Sequence, residues 1–309
     1  MTTIPKLFDI DKTTEWKKYL DEYGYVVIKN ILSDKEKLES LEFCKKDLNH
    51  ISPGLDWNNP ETWTIDNSPL MFHKGMGIFN GIGQTDFMWS LRTNPNIKSI
   101  YKYLHNTEEL CTSLDGFSLF LSNKQKTKSW LHIDQNPINP IYSIQGAYNF
   151  KKVGPNDAGF IVIPKSHRTF KPEVSHKRDW IQCKEPEFIK KSKKLLIPAN
   201  CFTLWNSRLI HCNTGMGNTG MGNTNKDNKE FNRITCYITY LPKKYRTQKI
   251  LEQRIEAYKN ADTTSHWSNK CEIKRYPWGF GPRYITRGFN TIKPTLIDNK
   301  IPQDRLELL

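Results

Sequence analysis

Ser129-Trp130-Leu131-His132-Ile133-Asp134-Gln135-Asn136-Pro137 is the stretch whose reading decides the fold of this chain. Residues two apart on an extended strand point to the same face. His132 and Asp134 can therefore reach one ion together, while Ile133 turns into the opposite packing layer. An imidazole and a carboxylate supply two of the three ligands in the 2-His-1-carboxylate facial triad, which leaves positions open on Fe(II). The third ligand has to be a distant histidine brought in by the fold. His211 is the best candidate, with Arg233 following on what reads as another strand. Spacing alone is weak evidence, because a His-x-Asp pair arises readily by chance in a chain with 8 His and 32 acidic residues.

Outward from this stretch the pattern is that of short strands. Phe117–Leu121, Ser143–Phe150, Gly159–Pro164, Leu195–Pro198, Cys201–Trp205, Leu209–His211 and Asn232–Tyr240 are β-rich runs separated by turn residues. Strands at this spacing predict a sandwich or jelly roll. Before them, Thr13–Tyr23 has Trp16, Tyr19 and Leu20 at helical spacing and ends at Gly24. Tyr25–Ile28 then reads as a strand. Leu32-Ser33-Asp34-Lys35-Glu36 supplies an N-cap and an acidic first turn for a helix to about Leu48. Further helices are expected at 89–92, 97–104 and 250–259.

Residues 52–88 are rich in Pro, Gly, Asn and Trp. The run Gly75–Gly83 has no strand–helix context or Lys-Ser/Thr for a phosphate cradle, and reads equally as a lid or as an irregular crossing segment. Residues 170–194 read as an inserted loop or helix. Residues 214–229 carry a Thr-Gly-Met-Gly-Asn tandem repeat, best read as a flexible hairpin extension. Trp57, Trp63, Phe79, Trp89 and Arg92 are candidates to line a pocket, and equally ordinary packing residues.

The chain has 309 residues and is 37% hydrophobic, enough to bury a sizeable core. No apolar run has the length needed to span a bilayer. Met1–Trp16 contains Asp9, Asp11 and Glu15 and no apolar h-region, so an intracellular, cytoplasmic chain is expected. The 7 cysteines form no CxxC pair and read as free thiols in a reducing compartment. Cys212 points away from its neighbour His211 and reads as packing. The 46 Lys and Arg against 32 Asp and Glu give a net charge of +14. That excess can serve nucleic acid, an anionic surface or acidic substrates. The runs Lys190–Lys194 and Lys243–Arg246 are short, and a solvated lysine-rich surface is the preferred reading.

Taken together these segments resemble the phytanoyl-CoA dioxygenase-like family of Fe(II)/2-oxoglutarate oxygenases, over about residues 15–240. The residues that carry the resemblance are Tyr23–Val27 with Leu32-Ser33, then His132–Gln135, then Asp157–Arg168, then Leu204–His211, and finally Arg233. The segment Asp157-Ala158-Gly159…Pro164-Lys165-Ser166-His167 is the most specific of them. The resemblance implies a mainly β fold with flanking helices, built on a double-stranded β-helix (cupin-like jelly roll). It also implies one oxygenase domain, with a helical and loop region over 1–115, the core over 116–240 and a helix and basic, aromatic tail over 241–309.

His132, Asp134 and His211 are then the implied iron ligands. Arg233 is the implied partner of the far carboxylate of 2-oxoglutarate, a task suited to a planar guanidinium. Asn213 and Tyr148 are weaker co-substrate contacts. Arg233 follows His211 by 22 residues, about double the family's usual spacing; a looped-out glycine repeat accounts for this, and Arg208 is otherwise the rival. His167 belongs to a structural turn. An acid at 134 rather than a small residue favours hydroxylation over halogenation. The implied reaction consumes O2 and 2-oxoglutarate, releases succinate and CO2, and hydroxylates a small or lipid-like molecule. Two other readings stand beside it: an oxygenase acting on nucleic acid or protein, and a non-catalytic binding protein with a degenerate oxygenase fold.

Overall fold

A computed structural model describes residues 1–64, 67–69, 71–72, 75–120, 130–155, 157–174, 178–214, 233–274 and 290–309. The glycine repeat and the segment Arg275–Phe280 thus lie outside the described residues. The chain divides into two compact units. The first comprises residues 1–31 and 122–234, the second 32–121 and 235–309. In the first unit the opening strands of the chain join Lys193–Leu195 and Cys201–Asn206.

The first unit is a two-sheet jelly roll. One sheet runs in the order Thr2–Thr3, Lys193–Leu195, Gly159–Val162, His211–Thr214, His132–Ile133 and Ile181–Gln182. The other runs Leu7–Phe8, Tyr25–Lys29, Cys201–Asn206, Ile144–Asn149 and then the strand that opens with Arg233. Strand alternation gives each sheet an inner and an outer face. Outside the first sheet Leu131, Ile133, Ile161, Ile163, Ile210 and Cys212 form one apolar cluster. Inside, Phe160 meets Trp205 of the opposite sheet, with ring centroids 4.8 Å apart.

The segment expected as an inserted loop or helix over 170–194 holds the short helix Pro186–Ile189 and also supplies two strands of this sheet. Ile181 and Gln182 pair with Ile133 and His132, and Lys193–Leu195 pairs with Gly159–Val162. Lys194 is fully buried rather than part of a solvated charge run. Its Nζ donates to the carbonyls of Pro155, at 2.9 Å, and Asp157.

The helix Thr13–Tyr23 buries Trp16 and Leu20 and ends where Gly24 adopts the left-handed conformation at φ 81°. The Gly24 N–H then caps Leu20 O at 2.8 Å. A side chain is excluded at this turn: a Cβ on Gly24 would stand 2.5 Å from Nδ1 of His167 and 2.6 Å from Leu209. His167 packs there, its Nε2 3.0 Å from Asp21 O, so it is a structural turn residue.

In the second unit the helix Asp34–Ile51 begins with a capping box. Glu36 N donates to Ser33 Oγ, and Ser33 N donates back to Glu36 Oε2 at 2.7 Å. Helices Asp86–Arg92, Pro95–His105 and Gln248–Lys259 follow. Residues 75–83 form a largely buried crossing segment; a Cβ on Gly83 would meet Leu114 O at 2.6 Å. Arg92 is buried and donates to the carbonyls of Gly83 and Asp115, at 2.5 and 2.6 Å. Trp89 donates to Gln84 Oε1 at 3.0 Å, and Trp63 to Asp56 O at 2.8 Å. All seven cysteines are free thiols, and six are buried. Among the described residues no helix is long and apolar enough to cross a membrane.

Candidate metal centre

His132 and His211 are direct cross-strand partners on their two short strands. One hydrogen bond fixes the approach of each. Asp134 N donates to Ser207 O at 2.8 Å. Ile210 N donates to the buried Ser166 Oγ at 2.8 Å, which ties the Lys165-Ser166-His167 turn to the strand entering at His211.

On this frame the three side chains converge. His132 Nε2 is 3.3 Å from Asp134 Oδ1, and His211 Nε2 is 3.2 Å from Asp134 Oδ2. All candidate ligand atoms lie within 4.8 Å of one another. Each histidine turns its other nitrogen to a carbonyl two residues earlier, His132 Nδ1 to Trp130 O at 2.8 Å and His211 Nδ1 to Leu209 O at 2.9 Å. A carbonyl only accepts, so each Nδ1 carries a proton, and each Nε2 faces the centre, where it presents a lone pair once the ring is neutral. That is the tautomer a metal requires.

The surroundings are dry and aromatic. His132 and His211 are 3% and 5% exposed. Trp130 stacks on His132 at 4.5 Å between centroids, and Trp180 at 5.6 Å. Phe160 and Trp205 lie 5.6 and 5.4 Å from His211. Burial lowers the His132 pKa, against the pull of Asp134. Burial works to raise the Asp134 carboxyl, but His132 and His211 outweigh it and hold the group well below the usual carboxylate range. The carboxylate is thereby kept ionised for a cation.

Of the other expected residues, Arg233 and Asn213 come together: Arg233 Nη1 donates to Asn213 Oδ1, and both are buried. Asn213 shares the inner face with His211 by alternation. Arg208 directs its guanidinium to Asn139 O at 2.6 Å and Pro137 O at 3.3 Å. Tyr148 does not join the site. It stands three residues from Gln145 on one strand, so it faces the other side of the sheet, and its hydroxyl donates to Asn200 Oδ1 at 3.0 Å. Gln145 is the residue that the sequence reading passed over. Its Nε2 donates to Asp134 Oδ2 at 3.0 Å. Strand parity was the signal that could have found it. Lys194 was also missed; burial, with the like charge of Arg233 adding to it, brings its ammonium down to about 8 despite Asp157.

No family model matches the chain. It is 24% identical over 274 residues to Ava biosynthesis cluster protein O of Aspergillus versicolor, covering 82% of this chain and 85% of that protein. Among solved structures it is similar to the epimerase SnoN in complex with Fe3+, alpha-ketoglutarate and nogalamycin RO. The identity there is 17%, over 76% of this chain and 85% of that one, with a TM-score of 0.52. It is also similar to GlcNAc Inducible Gene 2, GIG2 (DUF1479), of Candida albicans, at 12% identity over 82% of this chain and 70% of that one, TM-score 0.52. What these similarities establish for this chain is the fold, a jelly roll with flanking helices that a non-heme iron, alpha-ketoglutarate-dependent enzyme also uses. The His-Asp-His cluster is this chain's own geometry.

Proposed function

We propose that this protein is an Fe(II)/2-oxoglutarate-dependent oxygenase acting on a small molecule, phytanoyl-CoA dioxygenase-like in type and hydroxylating in outcome. The observation that carries the reading is the paired tautomer arrangement. Two buried imidazoles, each with its Nδ1–H engaged by a backbone carbonyl, turn both Nε2 atoms to one carboxylate at 3.2–3.3 Å. The donor set of two neutral nitrogens and one carboxylate fits ferrous iron with sites left open. When bound, the iron supplies the oxidising chemistry that couples decarboxylation of 2-oxoglutarate by O2 to attack on a substrate C–H bond.

The chain's own residues supply the rest. His132, Asp134 and His211 hold the ion, and Gln145 orients the carboxylate. Arg233, steered by Asn213, offers a planar fork to the far carboxylate of the co-substrate. Trp130, Phe160 and Trp205 keep water from the ligand nitrogens, which strengthens each electrostatic contact. SnoN, a protein of the same fold, is described in complex with alpha-ketoglutarate and the small molecule nogalamycin RO, which supports a small-molecule substrate here.

The test is anaerobic addition of Fe(II) and 2-oxoglutarate, with the weak visible metal-to-ligand charge-transfer band recorded. Wild type is expected to show the band and His132→Ala to lose it with its iron. Arg233→Ala is expected to bind iron yet lack the band at co-substrate levels that saturate wild type. A wild type that binds no iron would overturn the reading and leave a binding protein on an oxygenase fold.

A further inference from the structure

Among the described residues, two buried polar groups of the strand Cys201–Asn206 have no hydrogen-bond partner. Trp205 Nε1 and Thr203 Oγ1 are buried, in residues 3% and 1% exposed, and neither is satisfied. Both stand on one face of the strand Cys201–Asn206, since residues 203 and 205 are two apart. That face is the inner one, because Trp205 packs on Phe160 and His211. An orphaned buried donor costs free energy, so such groups are rare without a ligand to complete them.

The register shows what they face. Trp205 lies opposite Gln145, the residue bonded to Asp134, and so marks the level of the metal cluster. Thr203 lies opposite Ala147, and Cys201 opposite Asn149. Phe150 N donates to Ile234 O at 3.0 Å, which sets neighbouring Arg233 at the Asn149 end of the strand. Successive inward residues on a strand are about 6.6 Å apart. From the Trp205 level, then, the inner face carries the small Ala147 side chain and the Thr203 hydroxyl before the Asn149 end, beside which Arg233 bonds Asn213.

We infer that Trp205 Nε1 and Thr203 Oγ1 are the missing donors of the co-substrate seat, the indole N–H serving the carboxylate at the metal end and the hydroxyl joining Arg233 on the far one. This inference rests on the 2-oxoglutarate reading above. It assigns a role to two side chains that neither strand pattern nor family resemblance singles out. A hydroxyl with no partner in the free protein is a poor structural element and a good ligand donor.

The experiment is calorimetric binding of 2-oxoglutarate and of its unreactive analogue N-oxalylglycine to metal-loaded protein without O2, together with the melting temperature of the ligand-free protein. The variants are Thr203→Val, which keeps the shape and removes the hydroxyl, Thr203→Ser, which keeps the hydroxyl, and Trp205→Phe. Thr203→Val is expected to bind both acids about tenfold more weakly, with a ligand-free melting temperature equal to wild type or higher. Thr203→Ser is expected to bind within about threefold of wild type, and Trp205→Phe about tenfold more weakly with its ring packing retained. Unchanged affinity in Thr203→Val and Trp205→Phe would overturn the inference while leaving the parent reading intact. Equal weakening in the valine and serine variants would assign the effect to packing and also overturn it. A metal-loaded wild type that binds neither acid would remove the parent reading and the inference together.

Discussion

The side-chain amide of Gln145 donates to Oδ2 of Asp134 at 3.0 Å, from the sheet opposite the one that carries the two histidines. Oδ2 also faces His211 Nε2, while Oδ1 faces His132. Gln145 therefore adds a contact from the opposite sheet that holds the rotation of the carboxylate about its own axis. Partners of this kind, one layer out from a metal ligand, change metal affinity about 10–100-fold when removed. Gln145→Leu is expected to weaken Fe(II) binding within that range, with the ligands untouched and the melting temperature within a few degrees of wild type. Titration with ferrous iron under argon checks it, and wild-type affinity in the variant would exclude an orienting role.

Gln145 also marks the limit of what was legible. His132 and Asp134 could be read in advance because an i, i+2 pair on a strand shares a face, whatever the rest of the chain does, whereas His211 was the best distant candidate and came with the resemblance. Tyr148 came from resemblance, and parity with Gln145 sends it to the opposite face. The segment 170–194 looked like an insertion because its strands are only two and three residues long, below the length at which alternation shows. Trp180, stacked on His132, was hidden there. The two-unit division was invisible because it is set by pairing at long range: Thr2–Thr3 joins Lys193–Leu195 and Tyr25–Lys29 joins Cys201–Asn206.

Ser166 connects the most specific stretch of the resemblance to the metal cluster. Its buried Oγ accepts from Ile210 N at 2.8 Å, one residue before His211. Ser166→Ala leaves that backbone N–H unsatisfied in a dry interior and is expected to cost about 1–3 kcal/mol. The loss should appear in urea unfolding as a lower midpoint with the same slope. Fe(II) affinity should fall with it, because the strand entering at His211 loses its anchor. A stability loss with unchanged iron affinity would show that the remaining strand pairing suffices.

At Gly24 three elements meet on a hydrogen atom. Its φ of 81° ends the first helix, its carbonyl accepts from Asn206 N at 2.9 Å, and His167 and Leu209 close over it. Gly24→Ala combines a left-handed alanine, roughly 1–2 kcal/mol, with contacts of 2.5–2.6 Å to the His167 and Leu209 side chains, which have to shift. The expected loss is about 3 kcal/mol or more, read by thermal unfolding. Gly24→Asn, a residue that tolerates this conformation, keeps the same clash; equal losses in the two variants would assign the cost to packing rather than to φ.

Asp47 gives the second unit a pH dependence of defined sign. It lies in the helix Asp34–Ile51, 6% exposed, and accepts from Phe87 N at 2.9 Å. Burial pushes its carboxyl up to about 6, with the charge of Asp86 adding to this, while the Phe87 bond, Lys46 and His50 work the other way. The unfolded chain has the ordinary carboxyl value near 4. Between about pH 4 and pH 6 the folded protein therefore holds a proton that the unfolded chain releases. Stability from this group is greatest below pH 4, declines as the pH climbs, and the full cost is present above pH 6. Asp47→Asn keeps an oxygen for Phe87 N and removes the ionisation. The variant is expected to match wild type at pH 4 and to exceed it by on the order of 2 kcal/mol at pH 7. Urea unfolding of both proteins at the two pH values measures the difference, in which every other titrating group cancels. A gap of equal size at pH 4 and pH 7 would show that an effect other than burial of the charge sets the stability at this position.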